Sequence, residues 1–166
     1  MNKLLYITIS ILLLANPAVS ETLLLELQDG VVEIELLADK APNHVARIKE
    51  LASEGYYDGI IFHRVIEGFM AQTGDPTGTG RGGSGKKLKA EFNDTPHVRG
   101  AVSMARASSP NSADSQFFIV LKDALFLDNK YTVWGRVTKG MEFVDKINRG
   151  EPPKNPSKII SMKLKK

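Results

Sequence analysis

The chain has 166 residues, with 22 Lys+Arg against 19 Asp+Glu, 42% apolar residues and no cysteine. That length suits one globular domain, and the apolar share excludes wholesale disorder. Lack of cysteine excludes a disulfide framework, a thiolate metal site and a cysteine nucleophile, and a formal charge of +3 is too small for the basic stripe of a nucleic-acid binder.

Residues 1–20 carry one charge, Lys3, ahead of a nearly all-apolar run from Leu4 to Ala15. Asn16-Pro17 breaks any helix, and Ala18-Val19-Ser20 places small residues before Glu21. This is the layout of a secretory signal peptide cut after Ser20, since the apolar run is shorter than the roughly 20 residues of a membrane span. Residues 21–166 are expected to form the working domain, free of the membrane after cleavage.

Thr22–Leu27 and Val31–Leu37 read as strands of a hairpin turning at Asp29-Gly30. Ala41-Pro42 opens a helix with Val45, Ile48, Leu51 and Ala52 on one face and Gly55 at its end. Ile60–Ile66 and Phe69–Thr73 follow as strands, then a loop from Asp75 to Gly85 that is rich in glycine. Val98–Ala105, Gln116–Leu121 and Tyr131–Val137 are further strands. Gly140–Arg149 reads as a second helix, and Pro152, Pro153 and Pro156 lead to a last strand, Lys158–Leu164. The pattern predicts a mainly β domain: a closed, eight-stranded antiparallel barrel capped by two α-helices.

Several motifs lose their meaning in context. Gly78–Gly83 satisfies G-x-G-x-x-G and Gly80 to Lys86 resembles a Walker loop, but no helix opens after either, and Lys87 replaces the metal-binding hydroxyl. A flexible surface loop is the simpler expectation. His44, His63 and His97 share no metal-ligand spacing, and His44 is expected to face solvent. No G-x-S-x-G elbow occurs. What stands out is a cation on an apolar strand: alternation along Ile60–Ile66 puts Ile60, Phe62, Arg64 and Ile66 on one face. Such an arginine is either paired with a carboxylate at the barrel rim or placed there for chemistry.

Phe62-His63-Arg64-Val65-Ile66-x-Gly68-Phe69-Met70-x-Gln72-x-Gly74-Asp75 resembles the central signature of the cyclophilins, the peptidyl-prolyl cis–trans isomerases. Gly100–Ala105, Ser115–Ile119 and the series Leu127-Asp128, Tyr131, Val133, Gly135, Val137 continue the resemblance in order, over about 22–164. Met104-Ala105-Arg106 and Ser112-Ala113 are similar to bacterial members, which together with the leader implies a periplasmic destination.

The resemblance implies that Arg64 is the catalytic arginine, that Gln72 bonds the substrate backbone and helps orient Arg64, and that Phe62 is a neighbouring wall. Phe69, Met70, Phe118 and Leu127 match the apolar pocket for the proline ring. Ala105 and Gln116 match the subsite for preceding residues, with backbone contacts at Arg106. Phe126 stands where many members have Trp and Tyr131 where many have His, so a cyclosporin-type ligand is expected to bind weakly. The implied partners are proline-containing polypeptides acted on by a monomer, with no cofactor, no metal and no nucleic acid. A cyclophilin-like module that holds proline segments without turnover is the rival expectation, and the retained Arg64, Gln72 and Phe118 argue against it.

Overall fold

The computed structural model describes residues 20–166, so the signal-peptide expectation lies, except for Ser20, outside the described residues. Strands β1 (Thr22–Leu27) and β2 (Gly30–Leu36) form the expected hairpin, paired from Thr22–Glu35 to Leu27–Gly30. Helix α1 (Pro42–Ser53) buries Val45, Ile48, Leu51 and Ala52. It ends where Gly55 turns left-handed, its N–H donating to Ala52 O while Tyr56 N–H reaches back to Leu51 O.

The start of α1 has a longer-range cause. Ala41 offers no side-chain cap. Glu91 takes the role instead, accepting from the N–H groups of Asn43 and His44, each at 3.0 Å. The same carboxylate meets His44 Nδ1 at 2.6 Å, and His44 is fully buried. The expectation that His44 faces solvent is thereby corrected: its ring is drawn inward with the capping carboxylate.

Strands β3 (Arg64–Ile66), β4 (Met70–Thr73), β5 (Ala101–Met104), β6 (Phe117–Val120), β7 (Val133–Lys139) and β8 (Ser161–Leu164) complete one antiparallel sheet. Its order is β3-β4-β6-β5-β7-β2-β1-β8. Helix α2 (Met141–Val144) is shorter than predicted, because the chain tightens into i to i+3 turns at Lys146 and Ile147. Ile147 still reaches the core.

The sheet curls without closing as a ladder, which corrects the closed-barrel expectation. Its end strands β3 and β8 are joined only beyond their ends, by an isolated bridge between Ile61 and Lys158. Phe62 N–H donates to Ser157 O at 2.8 Å, and Ile159 N–H to Ile60 O at 2.9 Å. Pro152, Pro153 and Pro156 precede this seam and lack the N–H groups a continuous ladder needs.

Strand alternation sorts the apolar residues into two clusters. The concave interior holds Leu23, Leu25, Ile34, Val65, Ala71, Val102, Met104, Phe117, Ile119 and Trp134, covered by α1. The opposite face of β4, β5 and β6 carries a smaller cluster with Met70, Ala101, Phe118, Val120 and Leu127. A single 3-10 turn, Leu125–Leu127, folds over this outer cluster.

Candidate active site

The outer face owes its chemistry to one rung of the sheet. Arg64 of β3 pairs with Gln72 of β4, Gln72 with Phe118 of β6, and Phe118 with Ser103 of β5. Residues paired directly across antiparallel strands point to the same face. The sheet thus lines up a cation, an amide, an aromatic ring and a hydroxyl by register alone. Met70 lies two residues from Gln72 on the same strand, and Ile66 pairs with it.

A pocket of about 110 Å³ opens over this rung. Phe69, Met70, Ala105, Phe118, Leu127 and Tyr131 form its largely apolar walls, and Arg64, Gln72 and Arg106 its polar rim. The aromatic floor is braced from behind. His97 stacks on Phe118 with ring centroids 6.1 Å apart, and Tyr131 meets Phe118 edge-on at 5.9 Å. His97 Nδ1 lies 2.8 Å from Asp128 and its Nε2 3.0 Å from Ser103 Oγ. Burial holds the imidazole below its usual pKa, against the opposing pull of Asp128.

The two arginines of the rim differ. Arg106 spends its guanidinium on the carbonyl oxygens of Lys130, Ala107 and Ser108 and stacks 4.6 Å over the Tyr131 ring. It is a wall. The Arg64 guanidinium donates through Nε alone, to Glu151 Oε2 at 2.7 Å, and the side chain makes no other hydrogen bond among the described residues. Its terminal nitrogens remain available to a ligand. The carboxylate pairing expected of such an arginine is present, and Arg64 also lines the pocket.

Gln72 donates to Gln116 Oε1 at 2.9 Å and does not bond Arg64. Gln116 in turn donates to the carbonyl oxygens of Gly80 and Gly82, at 3.0 and 2.8 Å. A second cavity, about 340 Å³, lies on this side, lined by Gln72, Gln116, Ala105, Arg106 and the glycine-rich loop. Phe126 sits at the rim, 64% exposed, with its ring 5.6 Å from that of Phe69.

The glycine-rich loop is not the loose segment expected. Asp75, 1% exposed, accepts from the N–H groups of Thr77, Thr79, Gly80 and Gly82 and from the Thr77 hydroxyl. Burial alone would raise its pKa, but these donors outweigh it and hold the carboxyl at about 2. Asp114 does the same for Ser84 and Gly85. Gly82 has no room for a side chain, because a Cβ there would strike the Asp75 carboxylate.

Among the described residues no group of three or more His, Asp or Glu could hold a metal ion.

Residues 22–164 match the family described as "Cyclophilin type peptidyl-prolyl cis-trans isomerase/CLD". The chain belongs to the cyclophilin family. It is a peptidyl-prolyl cis–trans isomerase (EC 5.2.1.8). A "Probable peptidyl-prolyl cis-trans isomerase" of Brucella suis is 51% identical, over 84% of this chain and 80% of that protein. Peptidyl-prolyl cis-trans isomerase B of Bacillus subtilis is 46% identical, over 75% of this chain and 89% of that protein. Among solved structures, cyclophilin AquaCyp293 from Hirschia baltica superposes with a TM-score of 0.78 at 33% identity, over 85% of this chain and 72% of that one. A Cryptosporidium parvum cyclophilin, solved in the presence of the dipeptide ala-pro, gives 0.81 at 30% identity, over 87% and 99%.

Of the site residues expected for a cyclophilin, the fold gathers Arg64, Gln72, Phe69, Met70, Ala105, Arg106, Phe118, Leu127 and Tyr131 around one pocket. Gln116 lines the adjoining cavity, and Phe126 stands at the edge. Phe62 is not among them. It is fully buried in the interior cluster, because regular extension begins only at Arg64 and the irregular backbone at His63 reverses the alternation. Two residues beside Arg64 escaped the sequence reading. His63 lines a third, wider cavity with Arg64, Thr79 and Glu151, and both its ring nitrogens are buried without a partner. Its place next to Arg64 in the signature was the available signal. Glu151, 87 positions from Arg64, had none.

Proposed function

We propose that this cyclophilin turns X–Pro bonds by seating the proline ring among Phe69, Met70, Phe118 and Leu127 and presenting Arg64 to the imide nitrogen as the bond twists. Amide resonance holds that bond behind roughly 18–20 kcal/mol. Twisting breaks the resonance and leaves a lone pair on a pyramidal nitrogen. A guanidinium aimed at that lone pair favours the twisted state over both planar ones, which is what a catalyst of rotation needs. The observation that carries this reading is the Arg64–Gln72–Phe118 rung, with the terminal nitrogens of Arg64 unspent. The dipeptide ala-pro present with the Cryptosporidium parvum relative is consistent with an X–Pro ligand.

The energies assign the work. An ordinary turnover of about 10²–10³ s⁻¹ asks for a barrier lowered by roughly 5–7 kcal/mol. One charge-assisted hydrogen bond supplies on the order of 1.5–3 kcal/mol. The remainder falls to the dry pocket, which favours the less polar twisted amide, and to Gln72 and Gln116, which hold one side of the bond while the other turns. In a protease-coupled proline-peptide assay, Arg64→Ala should lose at least about tenfold in kcat/KM while remaining folded. Near-normal activity in the folded variant would sink the mechanism.

We further propose that the enzyme works on exported chains in the periplasm, on the strength of the leader-like residues 1–20. Expressed from its full coding sequence in a bacterium, it should be recovered from the periplasm with Glu21 as its first residue by mass spectrometry. Uncut protein confined to the cytosol is the contrary result.

A further inference from the structure

We infer that Glu151 is a positioning residue for Arg64: it binds Nε and so aims the free edge of the guanidinium at the substrate. This rests on Arg64 being the residue that acts on the twisting bond.

A guanidinium is a planar fork, so a partner fixed on Nε sets the direction of both terminal nitrogens. Glu151 Oε2 lies 2.7 Å from Arg64 Nε. Gln72, the neighbour that the family resemblance suggests for this duty, is committed to Gln116. Among the described residues Glu151 is therefore the one side chain that restrains the Arg64 head.

The backbone shows why Glu151 is where it is. Gly150 forms an isolated antiparallel bridge with Val65, the residue after Arg64. Val65 N–H donates to Gly150 O at 2.8 Å and Gly150 N–H to Val65 O at 2.9 Å. This bridge lies along the side of β3 away from β4, and it delivers the next residue beside Arg64. Position 150 must be glycine: its φ is +142°, and a Cβ would lie 2.6 Å from Pro153 Cα. One residue further out, Arg149 Nε donates to Glu67, pinning the segment from the other side. An acidic side chain is thus held against the catalytic cation by main-chain pairing with the same strand.

The pair is partly open to water, with side-chain exposures of 42% for Arg64 and 51% for Glu151. Its worth to global stability is accordingly small. Its worth to catalysis is orientation, which appears in kcat and leaves KM nearly alone, because the apolar walls that bind the proline ring do not touch Glu151.

The test is steady-state kinetics of the full protein with proline peptides. Glu151→Ala should lower kcat about fivefold, with KM within about twofold and the unfolding midpoint unchanged. Glu151→Gln keeps an acceptor for Nε without the charge and should recover most of that loss. In an Arg64→Ala background, Glu151→Ala should have no further effect. Equal or higher kcat in Glu151→Ala would overturn the inference, and so would a loss that persists unchanged once Arg64 is removed. Failure of the mechanism itself would show separately, as near-normal activity in Arg64→Ala alone.

Discussion

The pocket over the Arg64–Gln72–Phe118 rung and the glycine-rich loop meet at Gln72 and Gln116, and they are held by opposite means. The pocket is a product of the sheet: Arg64, Gln72, Phe118 and Ser103 share a rung, and apolar neighbours close over it. The loop has no ladder and little apolar surface. Two buried carboxylates, Asp75 and Asp114, collect its N–H groups and give it shape. Gln116 connects the two regions, receiving from Gln72 with its oxygen and donating to Gly80 O and Gly82 O with its nitrogen. A site of this kind can lose its apolar pocket to a packing change, or its flanking cavity to the loss of one charge.

Removing the pocket floor should have the largest effect. Phe118 is 5% exposed and touches both its own cluster and the His97 ring. Phe118→Ala should cost about 3–5 kcal/mol of stability by denaturant unfolding, through lost burial and a cavity. Isomerase kcat/KM should fall by about tenfold or more if the pocket seats the proline ring as proposed, since it loses an aromatic wall. If the regions are held separately, the Gly80 and Gly82 amides should keep their protection from hydrogen exchange relative to global unfolding. Selective loss of that protection would show that the loop leans on the sheet after all.

The same contrast explains what was legible in the sequence. Arg64 was readable as a cation on an otherwise apolar strand, whereas Met70, Gln72 and Phe118 were readable only through the family resemblance of the motifs that hold them. Phe62 failed for the complementary reason: alternation holds only while the backbone stays extended, and it breaks at His63. Gly55 and Pro42 marked the ends of α1 locally, whereas its true N-terminal cap, Glu91, lies 47 positions beyond His44 and carries no periodic signal. The order of the loop was hidden in the same way. Its glycines read as freedom, yet Gly82 is glycine because a carboxylate occupies the space of its side chain. Closure of the sheet was overstated because alternation counts strands but does not say whether the first and last meet.

The loop should lose its hold as pH falls, by a smaller amount. Asp75 has a carboxyl pKa of about 2 against an ordinary 3.8, after the raising effect of burial is outweighed by its hydrogen-bond donors. A lowered carboxyl binds fewer protons in the folded state than in the unfolded one near pH 3. Its contribution is therefore fully present above about pH 4 and is lost as pH falls towards about 2. The difference corresponds to about 2 kcal/mol. Other carboxylates with lowered values, Asp114, Asp128 and Glu91 among them, also titrate on the way down. Comparing the protein with Asp75→Ala isolates the one group: the variant should be less stable at neutral pH and lose about 2 kcal/mol less between about pH 5 and pH 2. Isomerase kcat/KM should also fall in the variant, because Gln116 loses its anchor on the loop. Parallel stability curves for the two proteins, or an unchanged kcat/KM, would mean that Asp75 does not shape the substrate-facing loop.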